Sequence, residues 1–148
     1  MVPLWTLLAM TAHAQNLPHP ARTLTLNSAH NFTETVARLK QTLASRGLTL
    51  FADIDQSAAA AQAGTMLRPT RLFLFGNPKG GTPAMQANPH AAVELPLRAV
   101  VWEDERGAAH IDYQDVSATL GSEYGLQPNL VAPLATVHTL LRAVADGS

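Results

Sequence analysis

The sequence predicts a single α+β domain with a mostly antiparallel sheet and helices packed on one of its faces. The chain has 148 residues, which is the length of one ordinary domain, and its hydrophobic content of 47% is enough for a core. Strand-like and helix-like patterns alternate in the first half of the chain, whereas strands follow one another in the second half. A doubly wound parallel sheet would need alternation throughout, so the antiparallel arrangement is favoured.

The first half of the domain combines three strands with two helices. Asn31, with Glu34 three residues later, forms a capping-box-like helix start, and Gly47 ends that helix. The alternation in the second strand predicts one buried face, formed by Leu48, Leu50, Ala52 and Ile54. The third strand is apolar on both faces, which is typical of a central strand. The predicted elements are strand 23–28, helix 31–46, strand 48–55, helix 57–66 and strand 71–75.

The second half begins with a β-hairpin and ends in helices. Strands 97–102 and 108–113 flank a charged turn in which Gly107 supplies a positive φ, and Trp102 and Tyr113 are predicted cross-strand neighbours. Asp115 is expected to cap a helix up to Glu123. One further helix is predicted over 129–146, with Asn129 as its cap, Pro133 in its first turn, and His138 as a hydrogen-bonded histidine on its apolar face.

The N-terminal segment has the form of a signal peptide over residues 1–14. An apolar run is followed by Ala12-His13-Ala14, so we predict cleavage after Ala14, a linker over 15–22 and the folded domain over 23–146. The run is too short to span a bilayer, so no stable membrane insertion is expected. The protein would then be periplasmic or secreted. No Lys or Arg precedes the run, which departs from the usual pattern, and the alternative is a loosely packed N-terminus.

Composition excludes several kinds of chemistry. The chain has no cysteine, which excludes disulfides, thiolate nucleophiles and cysteine-ligated metals. The formal net charge is -1 and the charges are scattered, so nucleic acid is not an expected partner. No dinucleotide fingerprint or His-Glu zinc motif occurs, and we predict neither a cofactor nor a metal. His90 and Glu94 could stand one helical turn apart, but they lack a third ligand and are interpreted as a surface pair.

The densest functional signal is the glycine-rich segment over 76–83. Thr82 is a suitable helix cap and Pro83 a suitable first helical residue, so free backbone N–H groups would lie near the ammonium group of Lys79 and could hold an anion. The segment is not a P-loop, and the alternative is a tight strand-to-helix turn with a solvated lysine. The predicted ligand-binding residues are Gly76, Asn77, Lys79, Gly80, Gly81 and Thr82, together with Asp55 and Tyr113 from the sheet.

Three strings of this sequence resemble a known family. FGNPKGGTPAM, AAVELPLRAVVWEDERG and SEYGL, together with Tyr113, are similar to the domain-of-unknown-function 302 family over residues 32–126. The resemblance implies a TBP-like α+β fold and often a dimer, and it implies no established activity. Members commonly carry a histidine after the Ile-Asp of the second strand, where this chain has Gln56. A role for an imidazole at that position is therefore not carried over.

Three hypotheses for function remain at this stage. The first is a non-enzymatic binding module of the cell envelope for a small ligand, with an anion as the leading candidate. The second is an enzyme that uses Lys79 with Asp53 or Asp55 as acid–base groups, although no residue can be assigned as catalytic. The third is a purely structural dimer. A homodimer is expected in any case, because the outer strand faces carry more apolar residues than one layer of helices can cover.

Overall fold

The computed structural model describes residues 17–147, which form a five-stranded antiparallel sheet in the order β1-β5-β4-β3-β2. This confirms the predicted fold class, while the predicted signal peptide and its cleavage point lie outside the described residues. The strands are β1 (Thr23–Asn27), β2 (Thr49–Asp55), β3 (Thr70–Gly76), β4 (Leu97–Glu103) and β5 (Ala109–Gln114). The α-helices are α1 (Phe32–Ser45), α2 (Gln56–Gln62), α3 (Pro78–Ala87), α4 (Val116–Ser122), α5 (Pro128–Ala135) and α6 (Val137–Asp146). A short 3₁₀ helix (Pro89–Val93) follows α3.

The hydrophobic core lies between one face of the sheet and the helices. Alternation along the strands directs Phe73, Phe75, Val101 and Ile111 to this face, where all four are fully buried. Burial of each such side chain contributes about 1.5–3 kcal/mol to folding. We call the opposite side of the sheet the open face; its half-buried apolar residues include Leu72, Leu74 and Val100.

Side-chain caps fix two of the helix starts where the sequence predicts them. The Asn31 Oδ1 atom accepts a hydrogen bond from the backbone N–H of Glu34 at 2.9 Å, and α1 begins at the next residue. The Asp115 Oδ1 atom accepts from the N–H of Ala118 at 3.0 Å and caps α4. The β4–β5 hairpin also forms as predicted, with Gly107 at a φ of 80°.

The predicted buried face of the second strand is not maintained along its length, because Leu48 packs against the core whereas Ile54 does not. In the antiparallel register Ile54 lies opposite Leu72, on the open face, while Asp53 lies opposite Phe73, on the core face. The side chains of Leu50 and Ile54 are 37% and 42% exposed. Two features that a simple alternation omits explain this: β2 is an edge strand, and a bulge between Leu50 and Ala52 shifts its register.

Two predictions in the second half also need correction. The single helix expected from Asn129 is two helices, α5 and α6, separated at Thr136, and α5 begins after Gln127. Pro133 lies in the interior of α5, where it has no N–H to continue the helical hydrogen bonds. In the hairpin, Trp102 lies opposite His110 and not beside Tyr113, and the two rings of Trp102 and His110 stack with centroids 4.3 Å apart.

Candidate functional site

Helix α3 begins earlier than the sequence pattern indicates. Asn77 is the cap and Pro78 the first helical residue, because the Asn77 Oδ1 atom accepts from the N–H of Lys79 at 2.9 Å. The predicted start at Thr82 and Pro83 is therefore wrong. An Asn-Pro pair satisfies the same rule as a Thr-Pro pair, and the upstream pair prevails here. Gly80 and Gly81 are ordinary helical residues, since neither has a positive φ.

This helix start leaves no ready place for an anion. Pro78 has no N–H, the N–H of Lys79 bonds to the side chain of Asn77, and those of Gly80 and Gly81 bond to the carbonyl oxygen of Asn77. The free N–H groups expected beside Lys79 are thus already used. The side chain of Lys79 is exposed and forms no ion pair with any carboxylate in the described part of the chain.

A groove of about 410 Å³ lies where β2 and β3 meet the first turns of α3. Its walls are mostly apolar, and the larger side chains among them are Phe51, Leu74, Met85, Leu95, Leu97 and Leu134. Four of the predicted ligand-binding residues also line it: Gly76, Asn77, Gly81 and Thr82. Half of the eight residues predicted to bind a ligand thus line this groove. The local structure that places them there differs from the one expected.

The two glycines help to shape the groove. A Cβ atom on Gly76 would lie 4.0 Å from the Phe51 ring, and one on Gly81 would lie 3.6 Å from Leu95 Cδ1. Both positions therefore place backbone directly against the apolar walls. Larger side chains here would extend into the groove and reduce its volume.

The other predicted ligand-binding residues lie elsewhere. Gly80 lines an adjoining cavity of about 110 Å³ that shares Gly76 and Asn77 with the groove, and Lys79 lines neither. Asp55 caps α2 through a 2.8 Å hydrogen bond from the N–H of Ala58, and this bond lowers its pKa. Tyr113 is buried in the core, where its hydroxyl group lies 3.0 Å from His138 Nδ1 and desolvation raises its pKa. His138 is hydrogen-bonded, as predicted.

Asp53 is held by two cations. Its carboxylate lies 2.6 Å from Lys40 Nζ and 2.6 Å from Arg71 Nε. Desolvation raises the pKa of Asp53, but the hydrogen bonds and charges of Arg71 and Lys40 outweigh it, so the pKa is lowered. A carboxylate in this state is a weak base, and it does not line the groove. The geometry thus keeps Asp53, Asp55 and Lys79 from forming one acid–base site there.

The groove residues that sequence reasoning missed come from distant parts of the chain. Phe51 and Ala52 belong to β2, Met85 to α3, Leu95 to the segment before β4 and Leu134 to α5. None of these residues belongs to a local sequence pattern that indicates a ligand site, so their place in the groove depends on tertiary packing. Among residues 17–147, no group of three or more His, Asp or Glu residues is placed to hold a metal ion. The interpretation of His90 and Glu94 as a surface pair is wrong for Glu94, which is buried and accepts a hydrogen bond from Tyr124 at 3.0 Å.

The fold and the groove define a small α+β domain with an apolar groove beside a glycine-rich helix. The chain belongs to the family described as domain of unknown function DUF302, whose model matches residues 24–146. The crystal structure of an uncharacterized conserved protein DUF302 from Bacillus stearothermophilus has a TM-score of 0.69 and 20% sequence identity to this chain. The match covers 85% of this chain and 97% of that one, and it establishes likeness of fold alone.

Curated relatives match a shorter part of the chain. Fluoride-specific ion channel FluC 1 of Brucella suis and FluC 2 of Brucella melitensis are each 38% identical over 92 residues, which is 62% of this chain. The match spans about a third of their own length, 36% and 34% respectively. In the region from 17 to 147, no helix has the length and apolar character needed to cross a membrane.

Proposed function

We propose that this protein is a non-enzymatic binding module whose groove beside α3 takes a small, largely apolar ligand. The observation that carries the proposal is the composition of the groove: among residues 17–147, no charged side chain lines it, and the polar side chains in its wall are those of Asn77 and Thr82. A charged ligand would lose hydration there without gaining a charged partner. An apolar ligand would gain by burial, and about 410 Å³ is in the usual range for a small-molecule pocket.

The polar residues suggest how such a ligand would be oriented. Asn77 caps α3 and Thr82 lies within that helix, and the side chains of both are exposed. An amide and a hydroxyl group can each donate and accept hydrogen bonds. We therefore infer that the ligand has an apolar body and an uncharged polar end, which replaces the anion favoured by the sequence.

The test uses N-phenyl-1-naphthylamine, an uncharged dye that fluoresces in apolar surroundings. The full chain should bind it saturably at micromolar concentration. Ala52→Trp places a large ring in the groove wall and should weaken binding by roughly tenfold or more, whereas Ala59→Trp, on the exposed surface of α2, is the matched control and should bind as the native chain does. Equal binding by both variants, or no saturable binding, would contradict the proposal.

A variant of Lys79 distinguishes the hypothesis of an apolar ligand from that of an anion. Lys79→Ala should leave dye binding unchanged, because the lysine does not line the groove. Phosphate and sulfate should show no saturable binding to the native chain in calorimetry. If either anion binds and Lys79→Ala weakens it, the anion hypothesis is correct and the groove is not the principal site.

A second candidate function comes from the curated relatives that are named fluoride-specific ion channels. We infer that a domain of this kind accompanies fluoride transport as an accessory part, since it matches about a third of those chains. Direct fluoride sensing would give chemical-shift changes in ¹H–¹⁵N NMR titrations of the full chain with sodium fluoride that sodium chloride, the control at equal ionic strength, does not produce. The same response to both salts would exclude sensing by this domain.

A further inference from the structure

A second cavity, of about 270 Å³, lies on the open face of the sheet toward β1, β5 and β4. Its walls combine residues 17–19, which lead into β1, with Thr25, Asn27, Trp102 and Asp112. It shares no residue with the groove beside α3. Its polar character also differs, because a carboxylate, an amide and the imidazole of His19 stand in its wall next to an indole ring.

Asp112 provides a negative charge that no cation of the described region neutralises. Its Oδ1 atom accepts a hydrogen bond from Thr25 Oγ1 at 2.8 Å, and none of the ion pairs within residues 17–147 involves it. The residue is half-buried, so its charge is less screened by solvent than that of an exposed carboxylate. The Oδ2 atom can still accept a hydrogen bond from a ligand.

Stacking on a buried neighbour fixes the position of the Trp102 indole ring. It stacks on His110, whose Nδ1 and Nε2 atoms lie 2.9 Å from Asn27 Oδ1 and 2.8 Å from Asp104 Oδ2. His110 is 1% exposed, so this arrangement is part of the fold. The ring therefore has a fixed position in the cavity wall, and little ordering of its side chain is required when a ligand binds.

We propose that this cavity is a second binding site, selective for a small organic ammonium ion. An aromatic ring and a carboxylate that share one wall attract a cation through the ring quadrupole and through charge. The cavity is smaller than a typical site for a drug-sized molecule, which limits the ligand to a few carbon atoms besides the ammonium group. The amide of Asn27 can orient a polar substituent on the same ligand.

The experiment titrates n-butylammonium chloride into the full chain and follows the indole N–H signal of Trp102 by NMR, in a Trp5→Phe background so that a single indole remains. 1-Pentanol, an uncharged molecule of similar size and shape, and sodium chloride at equal ionic strength are the controls. We expect a saturable shift with the ammonium ion and none with either control. A shift with pentanol of equal affinity would overturn the assignment of a cation.

Matched variants test the role of the carboxylate. Asp112→Asn keeps an acceptor for Thr25 and should weaken ammonium binding by roughly tenfold or more, as expected for loss of a charge-assisted contact. Asp146→Asn, at the far end of α6, changes the net charge equally and should have no effect. The melting temperature of each variant establishes that it is folded. Unchanged affinity in folded Asp112→Asn would overturn the proposal.

Discussion

Asp104 and His110 form a buried hydrogen-bonded pair that links the hairpin turn to the open face of the sheet. The His110 Nε2 and Asp104 Oδ2 atoms are 2.8 Å apart, and the Asp104 Oδ1 atom accepts from the N–H groups of Arg106 and Ala108. The hydrogen bond from His110 lowers the pKa of Asp104 from 3.8 to about 2, against the opposing effect of desolvation. The lowered pKa has a direct consequence for stability in acid.

We predict that the Asp104 carboxylate stabilises the fold above about pH 4 and that this contribution is lost as the pH falls toward 2. Because the pKa is lower in the folded state, the unfolded state binds more protons in this range, so acid favours unfolding. The urea midpoint should fall over this range in the native chain and fall less in Asp104→Asn. Glu105→Gln, at an exposed position of the same turn, should behave as the native chain does.

Gly147 is a position where only glycine fits. Its φ is 78°, and a Cβ atom there would overlap the imidazole ring of His30, whose Cε1 atom would lie 3.0 Å away. Gly107 has a similar φ of 80° but open space around it. A comparison of substitutions at these two positions therefore separates the effect of backbone strain on stability from that of steric overlap.

We predict that Gly147→Ala lowers the free energy of unfolding by more than Gly107→Ala does, because only the first adds a clash to backbone strain of about 1–2 kcal/mol. Chemical denaturation of the two variants measures the difference. In a His30→Ala background the difference should shrink, since the clashing ring is gone. Equal losses in both backgrounds would show that overlap with His30 is unimportant.

At the scale of elements, the sequence predicts what depends on local patterns and fails where tertiary contacts decide. The caps Asn31 and Asp115 were predictable because a side chain bonds to backbone only three residues away. The exposed face of β2 was not, because edge position and the bulge are properties of the sheet. The start of α3 lies between these cases, since two cap-and-proline pairs compete within seven residues of sequence, 77–83.

A capping experiment distinguishes the two starts of α3. Asn77→Ala removes the acceptor for the N–H of Lys79 and should lower the free energy of unfolding by about 1 kcal/mol. Thr82→Ala should change it little, because Thr82 is an exposed residue inside the helix. Thermal or urea denaturation gives both values, and a larger loss in Thr82→Ala would restore the start at Pro83.

At the scale of the whole molecule, the candidate groove illustrates what a linear pattern omits. Gly76, Asn77, Gly81 and Thr82 attract notice as a glycine-rich segment, and they do line the groove. Its apolar character comes from side chains as far apart in sequence as Phe51 and Leu134. A local segment can therefore locate a site while its chemistry is set by long-range packing. In this case the anion expected beside Lys79 gives way to an apolar ligand as the better proposal.

The N-terminal segment carries a prediction of its own. We predict that the protein is exported and cut after Ala14, because an apolar run precedes Ala12-His13-Ala14. Protein recovered from the cell envelope or the medium should begin at Gln15 in N-terminal sequencing. An intact Met1 on protein from the cytosol would contradict both export and cleavage.

The open face also bears on assembly. Ile54 is 42% exposed there, and its neighbours Leu72 and Val100 are only half-buried, so apolar area remains uncovered on the described chain. A second copy that meets this area across a two-fold axis would bury it in both chains, which is the commonest form of soluble oligomer. We therefore predict a homodimer at micromolar concentration.

Ile54→Lys should produce monomers, because two ammonium groups would then face each other or lie buried without a partner. Val93→Lys is the matched control, since Val93 is 70% exposed on the 3₁₀ helix. Sedimentation velocity of the three proteins gives the masses. A native chain that is monomeric throughout, or a control that dissociates as fully as Ile54→Lys, would rule out this interface.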